Sequence, residues 1–182
     1  AVICCIGKID DASKAITMQI KKENSTLYLL GERKNELGGS EYYRLLGELG
    51  ANVPKENFEE VTKQIYVLVE AAAAGLINAA HDISDGGMAV TIAEMCIGGR
   101  GEGQIGAIID LSKIPAFKLR PDQKLFSQTG GFVIEVSDEN QKKFLPLCQK
   151  YDLKPYEIGK TSSSPKIIIK NKYTNQYYKF TL

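Results

Sequence analysis

Between residues 76 and 97 the hydrophobic period of this chain changes abruptly, and that change narrows the possible folds more than composition does. Residues 76–83 read as a short buried strand, and residues 86–97 read as an apolar helix that stops at Gly98-Gly99. A strand, a tight turn and a helix cannot bury their apolar surfaces alone, so the helix must pack on a sheet to which the strand belongs. The flanking segments repeat the alternation. Strands are expected at residues 2–6, 15–20, 26–30, 107–111, 132–136 and 166–170, and helices at residues 122–127 and 138–149.

Two further helices are expected in the first half. Ser40 suits the cap of a helix over residues 41–49, with Glu41 at its positive end and Gly50 closing it. Pro54 suits the first turn of a second, in which Phe58, Val61, Ile65, Leu68 and Ala72 recur at alternating spacings of three and four until Gly75. The tail, with Tyr173, Tyr177, Tyr178 and Phe180, either adds a strand or turns its aromatics toward a partner. This interleaving predicts an α/β (α+β) fold, a mixed sheet with helices packed on it. The 182 residues are expected to form one domain, residues 1–182.

Charge excludes several partners. With 23 basic and 22 acidic residues the formal charge is +1, which leaves no excess potential to hold a nucleic-acid backbone or an anionic membrane surface. The apolar runs are far shorter than the roughly 20 residues of a membrane-spanning helix. Cys4, Cys5, Cys96 and Cys148 form no Cys-x-x-Cys pair and have no histidine at zinc-finger spacing, so buried reduced thiols and a cytoplasmic location are expected. The start at Ala1 lacks the pattern of a secretory signal and suggests a fragment or a processed chain.

The densest chemistry lies in Ala80-His81-Asp82-Ile83-Ser84-Asp85-Gly86-Gly87-Met88-Ala89, which joins the strand to its helix and holds the single histidine. In an extended strand Asp82 and Ser84 share one face while His81 and Ile83 share the other, so His81 and Asp82 are not expected to pair. Gly86 and Gly87 bring bare amides to a helix N-terminus, which favours a phosphate. The same residues also suit plain punctuation, with Ser84 or Asp85 as a cap, the glycines as a turn and His81 as a structural histidine. If Ser84 is that cap, Ser84→Ala costs about 1 kcal/mol.

Gly31-Glu32-Arg33 with Gly38-Gly39-Ser40-Glu41, and Phe126-Ser127-Gln128-Thr129-Gly130-Gly131, are further glycine-marked patches at strand ends. Each suits either anion binding or a simple cap or turn. A Walker loop and a Gly-x-Ser-x-Gly elbow are absent. The Gly-x-Gly-x-x-Gly spacing from Gly101 to Gly106 follows a helix and leads into a strand, the wrong context for a dinucleotide fingerprint.

The strings Tyr28-Leu29-Leu30-Gly31-Glu32, Glu36-Leu37-Gly38-Gly39-Ser40-Glu41, the stretch from Ala80 to Val90, and Leu125-Phe126-Ser127 resemble, in that order, the carboxy-terminal domain of the phosphoribosylformylglycinamidine synthases. These belong to the wider superfamily of aminoimidazole ribonucleotide synthetase, selenophosphate synthetase, thiamine-phosphate kinase and a hydrogenase maturation factor. The resemblance implies one domain of an ATP-dependent C–N ligase that uses ATP and Mg2+ to activate the amide oxygen of formylglycinamide ribonucleotide. Ammonia from a glutaminase partner then replaces that oxygen.

On that reading the amino-terminal ATP-binding domains, with most of the catalytic and metal-binding groups, lie outside this chain, which has no catalytic or metal residues of its own and is inactive alone. The resemblance implies ligand-facing candidates at His81, Asp82, Ser84, Asp85, Gly86, Gly87, Ser127, Gln128 and Thr129, toward a nucleotide or ribonucleotide phosphate. Two positions depart from the family, which commonly has Glu where this chain has Gln128 and a basic residue where it has Gly130-Gly131. The alternatives are aminoimidazole ribonucleotide synthetase or another superfamily member, and a purely structural assembly domain.

Overall fold

The computed structural model describes residues 4–98, 105–115, 118–171 and 176–181. Within them lie β1 (Thr26–Leu30), β2 (Ala79–Asp82), β3 (Gly106–Asp110), β4 (Phe132–Val136), β5 (Tyr156–Ser162), β6 (Lys166–Asn171) and β7 (Gln176–Thr181). They form one mixed sheet in the order β2-β4-β1-β5-β3-β6-β7. Neighbours run antiparallel except β3 and β6, which are parallel. The helices are α1 (Glu41–Leu45), α2 (Phe58–Ala73), α3 (Gly87–Ile97), α4 (Pro121–Phe126) and α5 (Gln141–Lys150). The α/β reading of the sequence holds.

The two-residue period of β1 divides the core into two layers. Leu27 and Leu29 point to one side, where they join Met88, Ile92 and Met95 of α3 and Leu125 of α4. Tyr28 and Leu30 point to the other, with Val67 and Ala71 of α2 and Phe144 and Leu147 of α5. Every residue of β1 is therefore buried, and each of its leucines contributes roughly 1.5–3 kcal/mol of apolar burial. Cys96 and Cys148 sit in these layers, where burial pushes each thiol up to about 12.

Several boundaries differ from the sequence reading, each for a physical reason. Residues 4–6 form no strand and are exposed, and the rest of that expected strand lies outside the described residues. Cys4 and Cys5 are accordingly exposed rather than buried. Residues 15–20 form no strand but strap the sheet to α3, with the Ala80 N–H donating to Thr17 O at 3.3 Å and the Ile20 N–H to Met95 O at 3.0 Å. Helix α1 stops early because Gly47, at φ +72°, already turns the chain before Gly50.

Pro54 precedes α2, whose cap is Asn57, accepting from the Glu60 N–H at 3.3 Å. The buried stripe of α2 is Gln64, Val67 and Ala71, so Phe58 and Ile65 of the expected stripe are exposed. Strand β5 was not expected. Its Glu157, Gly159 and Lys160 resemble a turn, yet a Cβ at Gly159 would lie 2.1 Å from Ile108 O, so the close approach of β3 selects glycine there.

Candidate functional site

The strand–turn–helix opens at the end of β2. Ile83 is buried and its N–H donates to Gly131 O at 2.8 Å, which ties the turn to the segment entering β4. Ser84 and Asp85 are exposed. Neither caps α3: the cap position is Gly86, at φ +80°, with no side-chain hydrogen bond. Ser84 instead contributes its main-chain carbonyl, which accepts from the Gly87 N–H at 3.0 Å. At Gly87, φ is +68° and a Cβ would lie 2.7 Å from Phe126 C, so glycine lets α3 start hard against the end of α4.

The His81 ring is clamped between two carboxylates, with Nδ1 3.0 Å from Asp82 Oδ1 and Nε2 2.8 Å from Glu94 Oε2. The expectation that strand alternation keeps His81 and Asp82 apart therefore fails. Asp82 is the last residue of β2, where the extended geometry that enforces opposite faces ends.

The segment 127–131 lies beside this turn. The two N–H donors that face half-buried Gln128 assign its side-chain oxygen, rather than its nitrogen, to the position that accepts from the Gly86 N–H at 2.9 Å and from the Glu41 N–H at 3.0 Å. One neutral amide oxygen thus sits at the starts of both α1 and α3. The amides of Gly86 and Gly87, read from the sequence as bare, are both engaged within the chain. Ser40 does cap α1, its Oγ accepting from the Tyr43 N–H at 3.2 Å and donating to Leu37 O at 2.7 Å.

Behind Gln128 is a buried polar network that sequence reasoning did not assemble. Ser127 and Thr129 are buried rather than presented to solvent; their hydroxyls are 2.7 Å apart, and Thr129 Oγ1 donates to Glu36 Oε2 at 2.7 Å. Arg33, 1% exposed, donates from Nη1 to Ser127 O at 3.4 Å and from Nη2 to Gly130 O at 2.5 Å. Burial pulls this guanidinium down to about 10 against the opposing pull of Glu36, Glu60 and Glu56. A Cβ at Gly131 would lie 2.4 Å from Leu30 O and 3.2 Å from Arg33 Nη2, so the end of β1 and the Arg33 cation together fill the space that a side chain at position 131 would enter.

The structure therefore gathers all the sequence candidates from His81 to Gly87 and from Ser127 to Thr129 at one end of β2 and β4. It adds Arg33, whose sequence signal was the glycine-marked patch beginning at Gly31, and Glu36, which the sequence marked only as the first residue of the family string ending at Glu41. Tyr42 stacks on Phe126 at 4.6 Å and 4°, packing α1 against α4 at the same end. Among the described residues, no three His, Cys, Asp or Glu side chains gather to hold a metal ion.

The family model described as AIR synthase related protein, C-terminal domain, matches residues 22–171. The chain belongs to this family. Its relatives include the phosphoribosylformylglycinamidine synthase subunit PurL of Methanothrix thermoacetophila, 45% identical over 163 residues that cover 89% of this chain and 20% of that protein. The PurL subunit of Thermoanaerobacter sp. strain X514 is 36% identical over 160 residues, covering 87% of this chain and 21% of that protein. The chain thus spans about a fifth of these curated relatives.

Solved structures agree on the fold. T. maritima PurL complexed with FGAR superposes with a TM-score of 0.76 at 16% identity, covering 92% of this chain and 29% of that one. Thiamine-monophosphate kinase from Stenotrophomonas maltophilia K279a gives 0.55 at 13% identity, covering 86% and 53%. In this member of the AIR synthase related family, β7 lies beyond the matched segment, while the whole candidate site lies inside it.

Proposed function

We propose that this chain is the carboxy-terminal domain of a phosphoribosylformylglycinamidine synthase of the PurL type, an ATP-dependent C–N ligase of purine biosynthesis working in the cytoplasm. The observation that carries this reading is 45% identity to a PurL subunit across nearly the whole chain. The complete enzyme converts formylglycinamide ribonucleotide to the amidine with ATP, Mg2+ and ammonia from a glutaminase partner. This domain makes one wall of a cleft closed by amino-terminal domains of the same enzyme. Asp82, Ser84 and Asp85 form its exposed edge, His81 sits clamped beneath them, and Gly86, Gly87, Ser127, Gln128 and Thr129 set the shape of the wall.

A second reading, a domain that only holds others in place, draws support from one feature. Gln128 already takes the Gly86 and Glu41 amides, while Ser127 and Thr129 are spent on Glu36 and each other.

One experiment separates the two. The corresponding domain of Methanothrix PurL is replaced by this chain, and ammonia-dependent amidation is followed alongside amide NMR shifts on ATP, ADP and ribonucleotide titration with Mg2+. Turnover by the hybrid, with shifts centred on residues 81–87, is expected. Turnover without shifts there favours the structural reading, and a folded hybrid without turnover overturns the synthase assignment. The isolated chain is expected to show no amidation.

A further inference from the structure

The Gly38-Gly39 pair, one of the glycine-marked patches that suit an anion, is spent on something else. The Gly38 N–H donates to Asn52 O at 2.8 Å and the Gly39 N–H to Leu49 O at 2.7 Å, so both amides hold the loop that runs from α1 to α2. A Cβ at Gly38 would lie 2.7 Å from Asn52 C, and glycine there lets the loop close on the start of α1. The Glu48 N–H, donating to Tyr43 O at 2.9 Å, fixes the first turn. The loop is pinned at three points.

What this pinned loop and its helix ends carry is apolar. Leu45, Leu49 and Phe58 are 83%, 78% and 79% exposed, and Leu46 and Val53 are exposed as well. None of these five joins either core layer. The charged residues among positions 45–58 are Glu48, Lys55 and Glu56 alone. A single exposed leucine is ordinary, but five large apolar side chains held away from the core on one short segment mark a recognition surface. Fixing the loop before contact lowers the ordering cost of binding.

Position selects the partner. Helix α1 is five residues, about 7–8 Å, long, so the loop begins one short helix away from the candidate site. The same helix is tied to that site at both faces, with its Glu41 N–H held by Gln128 and its Tyr42 stacked on Phe126. The apolar loop is therefore continuous with the wall of the cleft. The chain matches 20% and 21% of two PurL subunits, so most of such a polypeptide lies elsewhere and is tethered to this domain at high effective concentration.

We propose that the α1–α2 loop is the surface on which the cleft-closing domains of the same polypeptide dock, an inference that rests on the PurL-type reading above. Leu45, Leu49 and Phe58 are its anchors, and they require an apolar patch depleted of charge on the facing domain. Glu48, Lys55 and Glu56 stay at the polar rim.

The test is hydroxyl-radical footprinting, read residue by residue by mass spectrometry, on this chain and on the hybrid in which it replaces the matching domain of Methanothrix PurL. Leu45, Leu49 and Leu145 share one side-chain chemistry. Leu145, on α5 and 41% exposed, is the surface control, and the buried Phe144 beside it reports folding. Leu45 and Leu49 are expected to be oxidised about tenfold more slowly in the hybrid than in the isolated chain, with Leu145 unchanged. Leu49→Asp in the hybrid is expected to return Leu45 to its rate in the isolated chain while Phe144 stays protected. A hybrid that catalyses amidation yet leaves Leu45 and Leu49 as reactive as in the isolated chain overturns the docking surface and spares the synthase reading. Protection of Leu45 that survives Leu49→Asp unchanged overturns it too. A folded hybrid without turnover removes the synthase reading, and the docking surface with it.

Discussion

The exposed turn at residues 82–87 and the buried network behind it meet at one end of the sheet but are built on opposite rules. The turn carries the motif rich in chemical groups, yet Ser84 and Asp85 face solvent and the helix start they precede is held by main-chain and Gln128 contacts. The network carries ordinary residue types, yet Arg33, Glu36, Ser127 and Thr129 are buried and bonded to one another or to nearby carbonyls. The lesson is that reactive-looking side chains at a family motif can be energetically light, while the framework that places them is heavy.

Substitutions sharpen or break this contrast. Arg33→Leu strands the buried Ser127 carbonyl and the half-buried Gly130 carbonyl and leaves Glu36 without its nearby cation, so a loss on the order of 3 kcal/mol is expected in urea unfolding. A loss below about 1 kcal/mol would mean that the network is not the framework. Gly87→Ala forces a side chain into a left-handed backbone and against α4, at an expected cost of about 2 kcal/mol. If the melting temperature is unchanged, the close α3–α4 approach is not rigid.

Gln128→Ala frees the Gly86 and Glu41 amides together and is expected to cost about 1 kcal/mol, as for a lost helix cap. A bound phosphate that appears in the variant and not in wild type would show that Gln128 occupies an anion seat. Ser84→Ala is expected to fall within about 0.5 kcal/mol, because the contact Ser84 makes comes from its carbonyl, which alanine keeps. A loss of 1 kcal/mol or more would restore the side-chain cap expected from the sequence.

What the sequence made legible follows from how local each signal is. Strands β1 and β4 were bounded correctly because each is a compact apolar run between polar turns. Ser40 was recognised as a cap because its partner, Tyr43, is three residues away. The stripe of α2 was placed only in part, since Leu68 and Ala72 pack on the core while Phe58 and Ile65, which look as apolar as Val67 and Ala71, face solvent, and nothing in a single helix says which side finds a sheet. Gln128 was singled out, but its seat between Glu41 and Gly86 is fixed by contacts far away in sequence. Arg33 likewise becomes a framework residue only when residues 127–131 come back to meet it.

The central position of β1 also sets the timing of assembly on the ribosome. Thr26 pairs with Val136 on one side and Lys160 on the other, so its first neighbour strand is synthesised about 110 residues later. At roughly 5–20 residues per second, Thr-Leu-Tyr-Leu-Leu waits on the order of ten seconds with its backbone unpaired. This stretch is β-prone and uncharged, so the nascent chain is most exposed to aggregation before β4 leaves the exit tunnel.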